Sequence, residues 1–196
     1  IDTHAHLNGK EFNDDLPEVI KRAKSAGVVK VFLPAVDAKS VAEVLKVSED
    51  YPGFAYPMIG LQPEEVRVDW KDVLGEMKKV LWKGRPEGSG FIPFSRKTTP
   101  FIAIGECGLD FYWSREYEKE QLAAFEEQVR WSVETRLPLE IHCRKAQNEL
   151  LHIMKPYERE LPGGVFHCFT GNQKEAEGYL RFSNFSLGIG GVSTFK

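Results

Sequence analysis

The sequence predicts an α/β fold with a parallel sheet, because short apolar runs alternate along it with longer segments of helical spacing. The apolar runs have the length and composition of buried strands. They start at Ile1 and continue at 28–34, 54–60, 101–105, 137–142, 164–169 and 185–190. The segments between them carry apolar stripes at steps of three and four residues, as in Leu122, Phe125, Val129 and Val133. These segments predict the helices that connect consecutive parallel strands.

The spacing of the predicted strands favours a barrel. The strands recur about every 31 residues, close to the ~30 residues of one βα unit. A closed (β/α)8 barrel needs eight such units and roughly 250 residues. Since this chain has 196 residues, we expect a barrel whose eighth strand and last helices are missing from the sequence. An open doubly wound sheet has the same alternation, and the local pattern does not separate the two.

The alternation runs through the whole chain, so we expect one domain over residues 1–196. The longest interval between predicted strands contains a segment at about 83–100 that is rich in Gly, Pro and basic residues. Such a composition predicts an insertion loop. The loop is either solvated or a basic flap over the mouth of a site.

The composition excludes several classes of protein. With 26 Lys and Arg against 29 Asp and Glu, the chain lacks the basic surface expected of a binder of long duplex nucleic acid, although a short strand end at a metal site is compatible with it. Three Cys make no disulfide framework and favour a reducing compartment. No apolar run reaches the ~18 residues of a membrane span. We expect a cytoplasmic, monomeric protein.

Four of the five histidines and one glutamate stand where a barrel collects its functional groups. His4 and His6 follow the first predicted strand at positions i and i+2, which share a face. Glu106, His142 and His167 each lie at or beside the end of a later strand. Barrel enzymes gather their catalytic groups from several strand ends. The sequence therefore predicts a metal site made of these five side chains.

The ligand types indicate which metals would bind and how many. Imidazole with carboxylate and no thiolate suits Zn²⁺, Mn²⁺ or Fe²⁺, and Mg²⁺ where carboxylate and water dominate. Five ligands exceed what one four-coordinate catalytic metal needs while keeping an open position. Two divalent ions (Mg²⁺, Mn²⁺ or Zn²⁺) that share Glu106 as a bridge use the set better. Such a pair stabilises both the attacking and the leaving oxygen in displacement at phosphorus.

Other conspicuous residues receive different predictions. Cys107, Cys143 and Cys168 each directly follow a candidate ligand, so strand alternation turns them away from the site as small buried side chains. His152 falls on a predicted helix and is interpreted as an ordinary helix histidine. Arg144 lies two residues after His142 and should face the same side. It either clamps a phosphate or forms a surface salt bridge.

Taken together, these motifs resemble the TatD family of metal-dependent deoxyribonucleases. The matching segments occur in the family's order and cover nearly the whole chain. They are IDTHAHL (1–7), LPAVD (33–37), IGLQP (59–63), IGECGLD (104–110), IHCR (141–144), FHCFTG (166–171) and LGIGG (187–191).

The resemblance implies a TIM-barrel hydrolase of phosphodiester bonds, typically a 3′→5′ exonuclease that acts on DNA with divalent metal. It implies that His4 and His6 bind one ion, that His142 and His167 bind the other, and that Glu106 bridges them. Glu106 would thereby take part in catalysis by an activated water. The eighth strand of the family carries an Asp ligand that falls beyond this sequence.

One residue departs from the family pattern. Gln62 stands where the family usually has His. Its amide still hydrogen-bonds a phosphate or a water, but it cannot carry a proton as imidazole does. We expect Gln62, like Arg144, to contact the substrate.

Three functional hypotheses follow. The first is a divalent-metal phosphodiesterase that trims nucleotides from short or single-stranded DNA ends. The second keeps the site and changes the substrate to a small ester, amide or phosphomonoester. The third is a non-catalytic homologue that serves as a binding scaffold.

Overall fold

The computed structural model describes residues 1–83 and 99–195, in which strands and helices alternate. The strands are β1 (Val31–Pro34), β2 (Ala55–Met58), β3 (Ile104–Asp110), β4 (Leu139–Arg144), β5 (Gly164–Phe166) and β6 (Phe185–Leu187). The α-helices are α1 (Leu16–Ser25), α2 (Ser40–Asp50), α3 (Trp70–Leu81), α4 (Glu118–Thr135), α5 (Gln147–Met154) and α6 (Gln173–Tyr179). The predicted α/β alternation is confirmed. The predicted insertion loop falls mostly on residues 84–98, outside the described ranges.

All strand pairs are parallel, and neighbouring strands follow one another in chain order. β1 pairs with β2, and β3, β4, β5 and β6 form one sheet in that order. A bridge between Ile59 and Ile104 joins the two sheets. A doubly wound sheet reverses its strand order at a switch point, whereas a barrel keeps sequential order. The arrangement is thus of the barrel type, and the strands of the described residues do not close it.

The prediction of a first strand at Ile1 is wrong in detail. Only Asp2 pairs with Val31, as an isolated parallel bridge. The Asp2 side chain accepts a hydrogen bond from the His4 backbone N–H at 3.1 Å. This local turn takes the place of a ladder hydrogen bond and ends the extended segment. A hydrogen bond from Ala5 N–H to the Phe32 carbonyl (3.0 Å) still anchors the segment beside β1.

Helix α4 fixes the strand ends that carry the site. Its apolar face buries Phe125, Val129 and Trp131 completely. Two buried glutamines on the same helix bond to backbone beyond it. Gln121 accepts from Asp110 N–H at 2.9 Å and donates to the Asp110 carbonyl at 3.2 Å. Gln128 makes the same paired bonds to Leu61, so α4 holds both the end of β3 and the segment that follows β2.

The described helices include none that is both long and apolar enough to span a bilayer. Their burial is one-sided, as in α2, where Val41, Val44 and Val47 are buried and the intervening residues are more exposed. This spacing places one face of each helix on the sheet.

Candidate metal centre

The five predicted ligands meet at the carboxyl ends of the strands, and we call them the metal centre: His4, His6, Glu106, His142 and His167. Glu106 and His142 lie in the neighbouring strands β3 and β4, and His167 directly follows β5. His4 and His6 come from the N-terminal segment, with their Nε2 atoms 2.9 Å apart. The His4 ring stacks on the His167 ring at a centroid distance of 4.0 Å. The structure therefore brings together all five side chains.

Glu106 divides this centre into two halves. Its Oε1 lies 2.9 Å from His167 Nε2 and 3.2 Å from His142 Nδ1. Its Oε2 lies 3.6 Å from Nε2 of His4 and 3.6 Å from Nε2 of His6. In each half, the three candidate ligand atoms lie within 4.8 Å of one another. Each carboxylate oxygen thus faces a separate pair of imidazoles, as a bridge between two cations requires.

Two carboxylates outside the centre orient its histidines. Glu140 Oε1 lies 2.8 Å from His4 Nδ1, and Asp110 Oδ2 lies 2.8 Å from His142 Nε2. When each imidazole donates this N–H, its other nitrogen presents a lone pair towards Glu106. Metal-binding histidines commonly donate their second N–H to a carboxylate, which fixes tautomer and ring orientation. Glu140 and Asp110 are therefore positioning residues for the centre.

Sequence reasoning missed both of these carboxylates, although a signal was present. Glu140 lies two residues before His142 in β4, and Asp110 ends β3 four residues after Glu106. Strand alternation places both on the face of the known candidates. An acidic residue inside a buried apolar strand is rare unless it is paired.

The donor set fits divalent cations. Glu106 is only 1% exposed, and its Oε2 has no hydrogen-bond partner among the described residues. Glu140 Oε2 is likewise buried without a partner. For the charged Glu106 Oε2, burial without compensation costs several kcal/mol or more. A cation between Glu106 Oε2 and the His4–His6 pair would remove that cost, and imidazole with carboxylate is the ligand set for Zn²⁺, Mn²⁺ or Mg²⁺.

The electrostatics of the centre are those of a strongly coupled cluster. Burial opposes ionisation of Glu106, but the hydrogen bonds of His142 and His167 outweigh it and hold the pKa of Glu106 well below its usual range. Burial raises the pKa of Glu140 to about 8. Burial also disfavours charge on His142, yet Asp110 and Glu106 prevail and raise its pKa to about 9. Glu106 is therefore ionised and His142 protonated at neutral pH before a metal binds.

Comparison with known proteins identifies the family. The whole chain, residues 1–196, matches the family described as TatD related DNase. The chain belongs to this family. It is 34% identical over 196 residues to "Uncharacterized metal-dependent hydrolase YabD" of Bacillus subtilis, covering 100% of this chain and 70% of that protein. It is 30% identical over 191 residues to "3'-5' ssDNA/RNA exonuclease TatD" of Yersinia pseudotuberculosis, covering 97% and 67% respectively.

Solved structures agree with the barrel-type fold. The TatD homologue YJJV from Escherichia coli superimposes with a TM-score of 0.81 at 28% identity, covering 99% of this chain and 69% of that one. An uncharacterized TIM-barrel protein from Bordetella bronchiseptica superimposes with a TM-score of 0.58 at 12% identity, covering 88% and 58% respectively. The TatD chain therefore has a TIM-barrel-type fold, is a metal-dependent hydrolase by family, and spans about two thirds of the length of these relatives.

The remaining predicted residues of this TatD chain lie around the centre rather than in it. Arg144 ends β4, and its guanidinium carbon lies 3.6 Å from the ring centroid of Tyr112. No carboxylate forms a salt bridge with Arg144 within the described residues, so the surface-salt-bridge alternative does not apply there. Gln62 immediately precedes a 3-10 turn at Pro63–Glu65. No hydrogen bond joins its side chain to the centre in that same part of the chain, and its substrate role stays a prediction.

The cysteines of this TatD chain do not join the metal clusters formed by the described residues. Cys107 is fully buried, and its Sγ lies 3.5 Å from the Glu140 carbonyl oxygen. Burial raises the pKa of the Cys107 thiol well above its usual value and that of Cys143 to about 11. These two thiols are therefore protonated at neutral pH. His152, in α5, is exposed on the surface.

Replacing Asp110 with Asn should weaken metal binding by about 10–100-fold. The amide can still accept the Tyr112 N–H bond that Asp110 Oδ1 accepts at 2.8 Å. Its NH₂ group would donate to His142 Nε2, so the remaining ring proton would sit on Nδ1 and block the lone pair that faces Glu106. Mn²⁺ titration followed by electron paramagnetic resonance measures the change. Asp72→Asn, at an exposed position of α3, is the matched control, and equal affinities for the two variants would contradict the positioning role.

Metal affinity should rise with pH up to about pH 9. The proton on His142 has a pKa of about 9 and that on Glu140 a pKa of about 8, and a cation at the centre competes with both. At pH 7, calorimetry in buffers of different ionisation enthalpy should therefore detect one to two protons released per protein. Proton release that stays near zero at pH 7 would contradict this prediction.

The metal-free protein should show the opposite trend in stability. Both pKa values lie above those of the unfolded chain, so the folded state binds more protons and stability falls as pH rises. The contribution of His142 is complete below pH 6.5 and is lost as pH rises through about 9. That of Glu140 is lost between pH 4.5 and about 8. Thermal melts in chelator between pH 6.5 and 8.5 should show a falling Tm, and a flat or rising Tm would contradict the two assignments.

Proposed function

We propose that the protein is a divalent-metal-dependent phosphodiesterase that removes nucleotides from the 3′ end of single-stranded DNA. The observation that carries the proposal is the placement of Glu106 between two imidazole pairs, with one carboxylate oxygen directed to each. Two divalent cations held by Glu106 and the two imidazole pairs would lower the pKa of water and would stabilise both the attacking and the leaving oxygen at phosphorus. The DNA-directed part of the proposal is supported by relatives named 3′-5′ ssDNA/RNA exonucleases.

The chain's own residues have distinct tasks in this reaction. Glu106 supplies negative charge shared between the two halves of the centre. Glu140 and Asp110 hold the protons of His4 Nδ1 and His142 Nε2, so that the opposite nitrogens stay available. Arg144 stands beside His167 in the wall of one cavity, where its planar guanidinium can donate two N–H groups to a phosphate.

Hydrolysis of an end-labelled strand tests the proposed function. A single-stranded DNA labelled at its 5′ end should give a ladder of progressively shorter labelled products with Mg²⁺ or Mn²⁺. The same strand labelled at its 3′ end should release labelled mononucleotide from the start. Chelator should abolish both reactions. Identical results with and without chelator would reject the proposal.

Parallel assays distinguish hydrolysis of DNA from hydrolysis of the alternative substrates. Small esters, amides and phosphomonoesters are incubated in parallel with the DNA. Turnover of one of these without cleavage of DNA would move the function to that substrate. Bound metal without any turnover would favour a binding scaffold.

A further inference from the structure

Three side chains form an exposed cluster beside the metal centre, and we call it the aromatic platform: Tyr112, Trp113 and Arg144. Tyr112 and Trp113 follow β3 directly, and Arg144 ends the neighbouring strand β4. The guanidinium carbon of Arg144 lies 3.6 Å from the Tyr112 ring centroid and 5.3 Å from that of Trp113. The two aromatic rings meet edge to face with centroids 4.8 Å apart. The three groups thus present flat surfaces held against one another.

The two aromatic side chains of this platform are more exposed to solvent than is usual for Tyr and Trp. Trp113 is 68% exposed and Tyr112 is 49% exposed. Aromatic side chains of this size usually bury most of their area and dominate cores and interfaces. Neither ring belongs to the buried core cluster of the described residues. Folding therefore gains little from these two rings, which points to a ligand as the group that covers them.

The platform is tied rigidly to the metal centre through Asp110. Asp110 Oδ2 contacts His142, while its Oδ1 accepts the backbone N–H of Tyr112 at 2.8 Å. A second hydrogen bond ties the end of β3 to the end of β4, because the Phe111 N–H donates to the Arg144 carbonyl at 2.9 Å. One carboxylate thus fixes both a centre histidine and the start of the platform. A ligand on the platform would be held at a defined position relative to the centre.

A cavity of about 460 Å³ lies between Tyr112 and Arg144 of the platform and His167 of the centre, with Lys145 and Thr170 also in its walls. Trp113 stands outside this cavity, edge to face with Tyr112. Its volume lies within the ~300–1,000 Å³ typical of small-molecule sites.

The cavity walls contain two cationic residues, Arg144 and Lys145, and two acidic ones, Glu149 and Glu175. The acidic pair is already engaged, since Glu149 lies 3.6 Å from Arg115 and Glu175 accepts the Asn172 N–H. Within the described residues no salt bridge occupies Arg144 or Lys145, so these two can meet the anionic part of a ligand whose flat part lies on the platform. A nucleotide within a single strand has both.

We propose that Tyr112, Trp113 and Arg144 stack a nucleobase of single-stranded DNA or RNA next to the bond that the metal centre cleaves. The inference rests on the proposed function for the identity of the ligand. Stacking tolerates any base because every base has a π-face, and proteins combine it with cationic groups along the backbone. Bases within a duplex have their faces covered by neighbouring pairs. The platform therefore selects unpaired ends and is indifferent to sequence.

Binding to single strands with one missing base tests the platform without requiring cleavage. The probe is a fluorescein-labelled DNA decamer in chelator, measured by fluorescence anisotropy. A series of decamers carries one abasic residue at each of the last three positions. Loss of a stacked base should weaken binding by about 10–100-fold at one position and have little effect at the others. A blunt duplex of the same sequence should bind at least about tenfold more weakly.

The variants make the test specific. Trp113→Ala should weaken binding of the intact decamer about tenfold and should lose the sensitivity to the abasic position. Trp113→Phe, which keeps a flat ring, should retain most of both. Ala substitution of Val68, which is 77% exposed on another surface loop, is the control for removal of exposed apolar area. The melting temperature checks that Trp113→Ala remains folded, as expected for so exposed a side chain.

The outcomes separate the platform from the proposed function. Position-dependent binding that disappears in Trp113→Ala supports the platform even if no cleavage occurs, in which case the proposed function fails by itself. Cleavage of DNA with equal binding by wild type, Trp113→Ala and Val68→Ala overturns the platform and leaves the proposed function. Equal affinity of the wild-type protein for duplex and single strand also overturns the platform. If the wild-type protein binds no decamer, an unchanged KM for DNA cleavage in Trp113→Ala overturns it as well.

Discussion

Replacing Glu106 with Gln should remove metal binding from both halves of the centre at once. The amide has the same shape, so the fold should persist, but it has no negative charge and only one acceptor oxygen. Its NH₂ group would point at one of the two imidazole pairs, which stand 2.9–3.6 Å from the carboxylate oxygens. The loss should exceed the roughly 100-fold that removal of an outer carboxylate costs. Metal-dependent hydrolysis should fall by at least the same factor.

Metal content after equilibrium dialysis against Mn²⁺ or Zn²⁺ measures this effect directly. Glu49→Gln is the matched control, because Glu49 is exposed on α2 and belongs to none of the candidate metal clusters of the described residues. Circular dichroism checks that both variants keep their helices. Retention of two equivalents by Glu106→Gln would contradict the bridging role. Loss of one equivalent only would assign Glu106 to a single half.

The ends of strands were the part of the site that sequence could predict. Glu106, His142 and His167 follow apolar runs that are long enough to recognise, and parallel strands end on one side of a barrel. Which carboxylates turn towards them is harder to derive. Alternation counted from Glu106 and His142 places Asp110 and Glu140 on the same faces, but β3 shifts its register against β4 between Ile104 and Cys107. Which histidine each outer carboxylate contacts therefore depends on a strand pairing that the local pattern does not contain.

The N-terminal segment shows the opposite case, in which the predicted convergence of two histidines occurs although the predicted element does not form. His4 and His6 converge as alternation in a strand would require, yet they lie in irregular backbone beyond the Asp2–Val31 bridge. Asp2 caps the turn with its own side chain. This local hydrogen bond competes with the sheet, and a hydrophobic pattern gives no sign of it.

The aromatic platform could not be predicted from the sequence, because it depends on a contact between distant residues. Tyr112 and Arg144 are 32 residues apart in the sequence and meet only because β3 and β4 are neighbours.

Replacing Gly108 with Ala should destabilise the protein more than any ordinary core substitution. Gly108 pairs with His142 across the β3–β4 ladder and has a φ of +135°, a conformation that side chains rarely adopt. A Cβ at this position would overlap the His142 carbonyl oxygen and lie 2.9 Å from its carbonyl carbon. Since backbone cannot move aside there without breaking the ladder between Glu106 and Asp110, we expect a loss of at least about 4 kcal/mol. The corresponding fall in Tm is about 8–16 °C.

Thermal unfolding in chelator separates this backbone effect from lost metal binding. Gly75→Ala in the middle of α3 is the control, because no atom outside its own stretch of helix lies within 4 Å of the position that the alanine methyl group would take. There the helix gains by about 0.5–1 kcal/mol, so Tm should rise slightly. Gly108 has the reverse environment, because backbone atoms of His142 occupy the position that an alanine methyl group would take. In β3 it lies between Glu106 and Asp110, the residue that orients His142. Equal melting temperatures for the two alanine variants would mean that β3 and β4 can separate at Gly108 without cost, and the rigid placement of the centre would then lose its physical basis.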